Sequence, residues 1–328
     1  MPYINVDEAY ILDNTGLQVD QVVDIPYTDA ALTDGQKAQA RKNIAAGGTN
    51  PNLADNPFFT IRQRGDGPFT TGNAFTVDRW KMNTWNSTSP TLTVNANGSV
   101  TLSSSTASGT ATSFALWQII ENGTKFAGKT VTLSVMVDAV TGSGVKMFIC
   151  GAANETRYAE AGISTGLNTL TFTLADSITG LSVYIGHHAS SSGSGALSLT
   201  VSAVKLELGT VSTLANDTPP NYAEELAKCQ YYFRRVSGDV YLCSGMAVSA
   251  TAVVFPFPFT MRANPTITMT GTISAVGSGG ILAVSSVNSV GRASNAIQVR
   301  LTVSGATQYG AYLLTPQNGA YIDFSADL

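Results

Sequence analysis

His187 and His188 are the only imidazoles in the 328-residue chain. Neighbours on a strand point to opposite faces, so this pair is not placed to share a metal or relay a proton. Two carboxylates flanking a glycosidic bond would serve hydrolysis. Asp55, Asp66, Asp78, Glu155 and Glu160 are the candidates, and no spacing selects two of them. Cys150, Cys229 and Cys243 lack a metal-ligand spacing and read as buried free thiols of a chain made in a reducing cytoplasm. Gly142-Ser143-Gly144 and Gly277-Ser278-Gly279 read as turns, because no Lys-Ser/Thr follows either. Arg64-Gly65-Asp66 also reads as a tight turn, not as an integrin ligand. No catalytic residue and no metal ligand emerges.

Aromatic side chains are the remaining lead. Sugars stack their C–H faces on flat rings flanked by amide, carboxylate or guanidinium groups. Trp80, Trp85, Trp117, Tyr158 and Tyr184 fall in one half of the chain. Trp80 follows Asp78-Arg79 in a word, "FTVDRWKM", that resembles a family motif, and that resemblance implies a core position. Trp85, beside Asn83, Asn86 and Ser87, is the exposed candidate. Tyr309, Tyr312 and Tyr321 are comparable candidates near the C-terminus. The expected ligand-binding residues are therefore Trp85, Tyr309, Tyr312 and Tyr321.

Strands must position these rings. Hydrophobic residues make up 44% of the chain and charged residues only 12%, about half the usual share. Gly, Ser, Thr, Asn and Ala fill the gap, which favours β-structure with polar, uncharged faces over charged surface helices. Alternation with period two marks strands at Thr91–Val94, Thr130–Val137, Leu170–Leu174, Leu197–Val201, Ala252–Phe259, Thr266–Thr270 and Ile297–Val303. Asn95–Gly98, Glu121–Gly123 and Ser190–Gly195 supply turns. Two short helices interrupt this pattern. Thr33 and Gln36 form a capping box ahead of an Ala/Gln/Lys/Arg run that ends at Gly47. Asn221 and Glu224 cap a second, on which Tyr222, Leu226, Cys229 and Phe233 would form one apolar stripe. Thr49 to Leu53 reads as a linker. Pro256 and Pro258 belong on an edge or at a bulge.

The net charge is −4 with no Lys/Arg block, which excludes electrostatic capture of nucleic acid. No stretch approaches the ~20 apolar residues of a membrane-spanning helix. The opening residues have no basic and apolar regions of a secretory signal, so release by lysis is the expected route outside the cell. Low charge also suggests surface buried between copies of the chain.

"LTDGQKAQARKNIAAGG" at 32–48 resembles a short motif of phage tail fibre proteins. "NPNLADNPFFTIRQRG", "FTVDRWKM", "ENGTKFAGKTVTLSVMV" and "VSAVKLELGTVST" resemble, in that order, the jelly-roll domain of a phage and prophage tail protein family, similar in outline to carbohydrate-binding modules. "NYAEELAKCQYYFRR" resembles its connecting segment. "MRANPTITMTG" and "YIDFSADL" are similar to the C-terminal head of such fibres. The resemblance implies a mainly β homotrimer, with a virion-attachment segment carrying a short helix over 1–50 and a jelly-roll β-sandwich over 51–218. A helical connector over 219–235 then leads to a C-terminal β head over 236–328. It implies a receptor-binding protein of the virion that joins baseplate or tail proteins through its N-terminus and binds a host-surface glycan. With the motif at 32–48 facing the particle, the head is the expected contact, and the module-like sandwich is the alternative holder of the sugar. The resemblance brings no cofactor. Ca²⁺ binds some carbohydrate-binding modules, but no Asp-rich loop here demands it. A carbohydrate-active enzyme or its accessory module, and a purely structural baseplate component, are the other readings.

Overall fold

Period-two alternation becomes strand almost wherever it occurs. Thr91–Val94 and Thr266–Thr270 are strands over those very residues, while Thr130–Thr141 and Leu197–Leu208 run on past the alternating words. The computed structural model describes residues 50–105, 113–152, 156–188, 196–238, 241–292 and 296–328. The expected helix at 33–47 and the turn at 190–195 lie outside the described residues.

In chain order the first strands are β1 Ala74–Phe75, β2 Lys81–Trp85, β3 Thr91–Val94, β4 Val100–Ser104, β5 Ser113–Ile120 and β6 Thr130–Thr141. They continue with β7 Val145–Cys150, β8 Arg157–Gly162, β9 Gly166–Thr173, β10 Leu181–His187 and β11 Leu197–Leu208. They form two antiparallel sheets, β1-β2-β5-β10-β7-β8 and β3-β4-β11-β6-β9. One core fills the space between them. Trp80, Met82, Phe114, Leu116 and Ile185 meet Leu102, Leu133, Val135, Leu199 and Leu206 there. This is a β-sandwich, as the alternation predicts.

β4 pairs with β11 only as far as Val201. Beyond that point the segment starting at Asn50 takes its place. Leu53 donates to Leu206 O, Val204 to Pro57 O, and the Asn52 amide bridges Val204 O and the Leu206 amide. From Asn50 on, the expected linker is thus part of the sandwich. On the same strand, buried Lys205 pairs with Asp217 at 2.7 Å, and Glu207 accepts from the amide and hydroxyl of Thr213. These contacts tie the chain back onto the sandwich as it leaves.

Helix α1, Tyr222–Gln230, follows, with the Asn221 side chain accepting from the amides of Ala223 and Glu224. The expected apolar stripe does not form. The helix stops at Gln230, Phe233 opens the next strand, and Tyr222 is exposed. Of that stripe Cys229 is buried and Leu226 half-buried, and Glu225 is buried as well. Glu225 is held there because its Oε1 accepts the Asn56 amide and its Oε2 pairs with Lys228. A polar tether, not an apolar seam, seats this helix.

The remaining strands are β12 Phe233–Ser237, β13 Cys243–Ser249, β14 Ala252–Phe257, β15 Thr266–Thr270, β16 Ile273–Gly277 and β17 Gly280–Ala283. β18 Ser286–Arg292, β19 Ile297–Thr302, β20 Ala311–Pro316 and β21 Tyr321–Ser325 complete the head. β12-β21-β15 packs on β17-β16-β20-β13-β14-β19-β18 around Phe255, Phe257, Leu301, Leu314, Ile322 and Phe324. β12 pairs with β21 from Phe233, so the head begins inside the expected connector. Pro256 sits where β14 pairs with β19 alone, so its missing N–H costs no ladder bond.

Candidate functional site

The distinctive words of the sequence meet in one place, and that place is structural. Thr76 to Trp80 is a tight turn, with the Thr76 amide donating to Trp80 O and Arg79 in the left-handed region at φ 70°. It sends three side chains in different directions. Trp80 enters the core, packs on Phe59 with ring centroids 5.5 Å apart, and donates its Nε1–H to Asn56 O. Arg79 donates to Asp55 and to Ile119 O, and its guanidinium lies 3.5 Å over the Tyr232 ring. Asp78 accepts from the Gln63 amide and from Gln63 Nε2, and Gln63 also donates to Phe233 O. Arg64 stacks on the Phe233 ring and pairs with Asp327.

Sandwich, helix and head are clasped by these contacts. Burial pushes the Asp78 carboxyl up to about 6, against the pull of Arg64 and Gln63, with Asp327 adding to the rise. The Arg-Gly-Asp tripeptide is absorbed as well, since Arg64 is engaged and Asp66 pairs with Arg62.

The outer face of the six-stranded sheet has a different character. Strand register places Lys81, Trp117, Tyr184, Phe148 and Glu160 side by side in one row across five strands. The next row is Asn83, Ala115, Gly186, Lys146 and Gly162. Gly186 is required, because a Cβ there would meet Phe114 O at 2.3 Å. Tyr184 and Phe148 are fully buried with Ala115 and Cys150 in a small cluster, Trp117 packs against it, and the His188 ring rests on the two rings at 5.5 and 5.6 Å. Burial and nearby Arg157 pull the His188 imidazole below its ordinary value. Lys81 lies 5.1 Å from the half-buried Trp117 ring, and burial lowers its pKa too. The Nε1–H of Trp117 is buried and finds no acceptor among the described residues. Glu160 is held ionised chiefly by its hydrogen bond to Lys146, with Arg157 alongside.

Of the expected ligand residues, Trp85 lies on this face, opposite Ser113 and 62% exposed. It stands two rows from Trp117 on the adjacent strand, about 13 Å along the sheet. Tyr309 is 73% exposed in the head, on a turn where its amide donates to Ala247 O and its φ is 63°. The other two are less open, and Tyr312 is buried. Tyr312 is 3% exposed, its hydroxyl accepting from the Thr307 amide and its ring packed against Gly277, so it serves the head core. Tyr321 has its ring face covered by Arg235 at 3.7 Å. Trp117 was not among the expected ligand residues, because only the register shows it in line with Lys81 and Tyr184.

Among the described residues no group of three His, Cys, Asp or Glu side chains is placed to hold a metal ion. Asp55, Asp66 and Glu160 are each paired with a cation, and Asp78 is enclosed in the clasp. Glu155 lies outside the described residues. No described helix is long and apolar enough to cross a membrane.

No family model matches the chain, and no curated protein matches its sequence. Among solved structures it is similar to one described as "CBM4 structure and function", at 15% identity and TM-score 0.32, over 47% of this chain and 99% of that one. It is similar to a CBM29-2 variant complexed with mannohexaose at 14% identity and TM-score 0.27, over 46% and 95%. It is also similar to the CBM22-1–CBM22-2 tandem domain from Paenibacillus barcinonensis Xyn10C, at 9% identity and TM-score 0.29, over 85% and 98%. Likeness at these TM-scores leaves both fold and site to be argued from the chain's own geometry.

Proposed function

We propose that the chain is a non-catalytic attachment protein, a receptor-binding component of a phage-type tail that holds a host-surface glycan. One observation carries the glycan reading. A row of rings with polar ends crosses the outer face of the six-stranded sheet, its Trp117 indole N–H has no acceptor among the described residues, and exposed Trp85 stands on the same face. A sugar hydroxyl can take that N–H while the Trp117 and Trp85 rings take the C–H surface. The phage-tail part rests on the sequence words at 32–48 and 50–82. On this reading residues 1–50 join baseplate or tail proteins, and the chain acts from the virion. The non-catalytic part is supported by the engagement of Asp55, Asp66, Asp78 and Glu160 in ion pairs or the clasp.

Binding of the full chain to an array of bacterial surface oligosaccharides tests the site. Trp117→Ala and Trp85→Ala should each weaken binding by about tenfold, the worth of a stacked ring or a hydrogen bond. If both leave binding intact while Tyr309→Ala abolishes it, the site is in the head and this assignment fails.

The same reading makes the protein a homotrimer, supported by its 12% charge content and low-charge head. Weak contacts at three copies then add to firm attachment. Light scattering at micromolar concentration should return a trimer, and a folded monomer would overturn it.

A further inference from the structure

We propose that the head carries a second site, for the oxyanion of an acidic saccharide, centred on Arg300. The proposal begins with the head's few charges. Asp323 forms a two-bond pair with Arg235, and Asp327 pairs with Arg64. Arg262 donates to Ala326 O, and Arg292 donates to Met261 O and Arg262 O. Of the two described head arginines left without such a partner, Arg234 lies over the Phe259 ring at 4.3 Å, whereas Arg300 has no ring contact among the described residues either. Its Nε–H is moreover buried, with no acceptor among the described residues. A guanidinium N–H held out of water and unmatched costs stability, and a carboxylate or phosphate oxygen would remove that cost.

Its placement suits a ligand. Arg300 lies in the middle of β19, opposite Val254 of β14, which in turn faces Met246 of β13. Two residues along the strand, Gln298 shares its face. Val299 and Leu301, which flank Arg300 in sequence, point into the core and fix the strand. By register, no other described residue of the outer face of the seven-stranded sheet is charged. Met246, Pro256 and Gln298 are exposed there. A planar fork of donors on rigid strands matches the two oxygens of an oxyanion. The flanking Met246 and Val254 suit the apolar face of a sugar, and Gln298 offers hydrogen bonds to its hydroxyls. The open sheet face favours a saccharide chain over a small enclosed metabolite. The site is separate from the Trp117 face and shares with it only the attachment reading.

Calorimetry on the full chain tests this with three probes of equal length: a uronate-bearing oligosaccharide, a phosphorylated one and their neutral counterpart. Titrations run in low salt and in 0.5 M salt, where an ion-paired contact weakens. The uronate, the phosphate or both should bind more tightly than the neutral probe, and the preferred arm identifies the oxyanion. Arg300→Gln should weaken that binding by about tenfold or more. Gln298→Glu, an exposed isosteric change on the same face, should weaken it in the same direction without touching Arg300. Trp117→Ala should leave it unchanged, which separates this site from the sandwich face. Equal binding of acidic and neutral probes, or acidic binding untouched by both head substitutions, would overturn the proposal. So would a change of oligomeric state in Arg300→Gln without loss of acidic binding, since Arg300 would then face a second copy of the chain.

Discussion

Trp80→Ala should destabilise the protein by about 3–5 kcal/mol, the range for removing a large buried aromatic side chain. The ring is fully buried, tilted against Phe59, and donates its indole hydrogen to Asn56 O. Asn56 in turn receives the Glu225 carboxylate at its amide and gives its own side-chain hydrogens to Ile61 O and Asp78 O. Loss of the ring therefore leaves a cavity at the spot where helix, N-terminal segment and turn meet. Trp80→Phe keeps most of the volume and loses the hydrogen bond, so it should cost far less. Urea unfolding of wild type and both variants measures the difference. A Trp80→Ala cost below about 1 kcal/mol would mean that the site collapses freely and that the turn is not an anchor.

Acidification should strengthen the clasp before it harms the fold. Burial holds the folded Asp78 carboxyl at about 6, above its ordinary 3.8. The folded state then binds the extra proton first. Asp78 lowers stability at neutral pH, and that penalty is relieved as pH falls through about 6 towards 4. A shift of about two units corresponds to ~3 kcal/mol at most, and Asp78 is fully buried, so solvent screening takes little from it. Carboxylates such as Glu160, held low by Lys146, act the opposite way at more acidic pH. The clean measurement is thus the difference between wild type and Asp78→Asn from pH 7.5 to 4.5. Asparagine presents one acceptor where Gln63 offers two hydrogens, so a constant offset is expected. The pH slope of the difference is the test, and parallel curves would show that Asp78 titrates normally.

Alternation and turn residues alone determined the mainly β character, the strands at 91–94 and 266–270, and the Asn221 cap, because these rest on local periodicity and short-range hydrogen bonds. The family-like word around Asp78-Arg79 marked Trp80 as core, and polar neighbours marked Trp85 as exposed. Sequence could not show that Asp55, Gln63, Arg64, Asp78, Arg79, Tyr232 and Asp327 form one clasp, since its partners lie up to 263 residues apart. Nor could it separate Tyr309 from Tyr312: the two are three residues apart and chemically alike, yet one heads a turn and the other faces inward on β20. Tertiary structure decided both, because exposure depends on which sheet covers a strand face. The same holds for the two faces proposed for ligands. Lys81, Trp117, Tyr184 and Phe148 become neighbours only through antiparallel register. Arg300 stands out only once the pairing of the other described head charges is known.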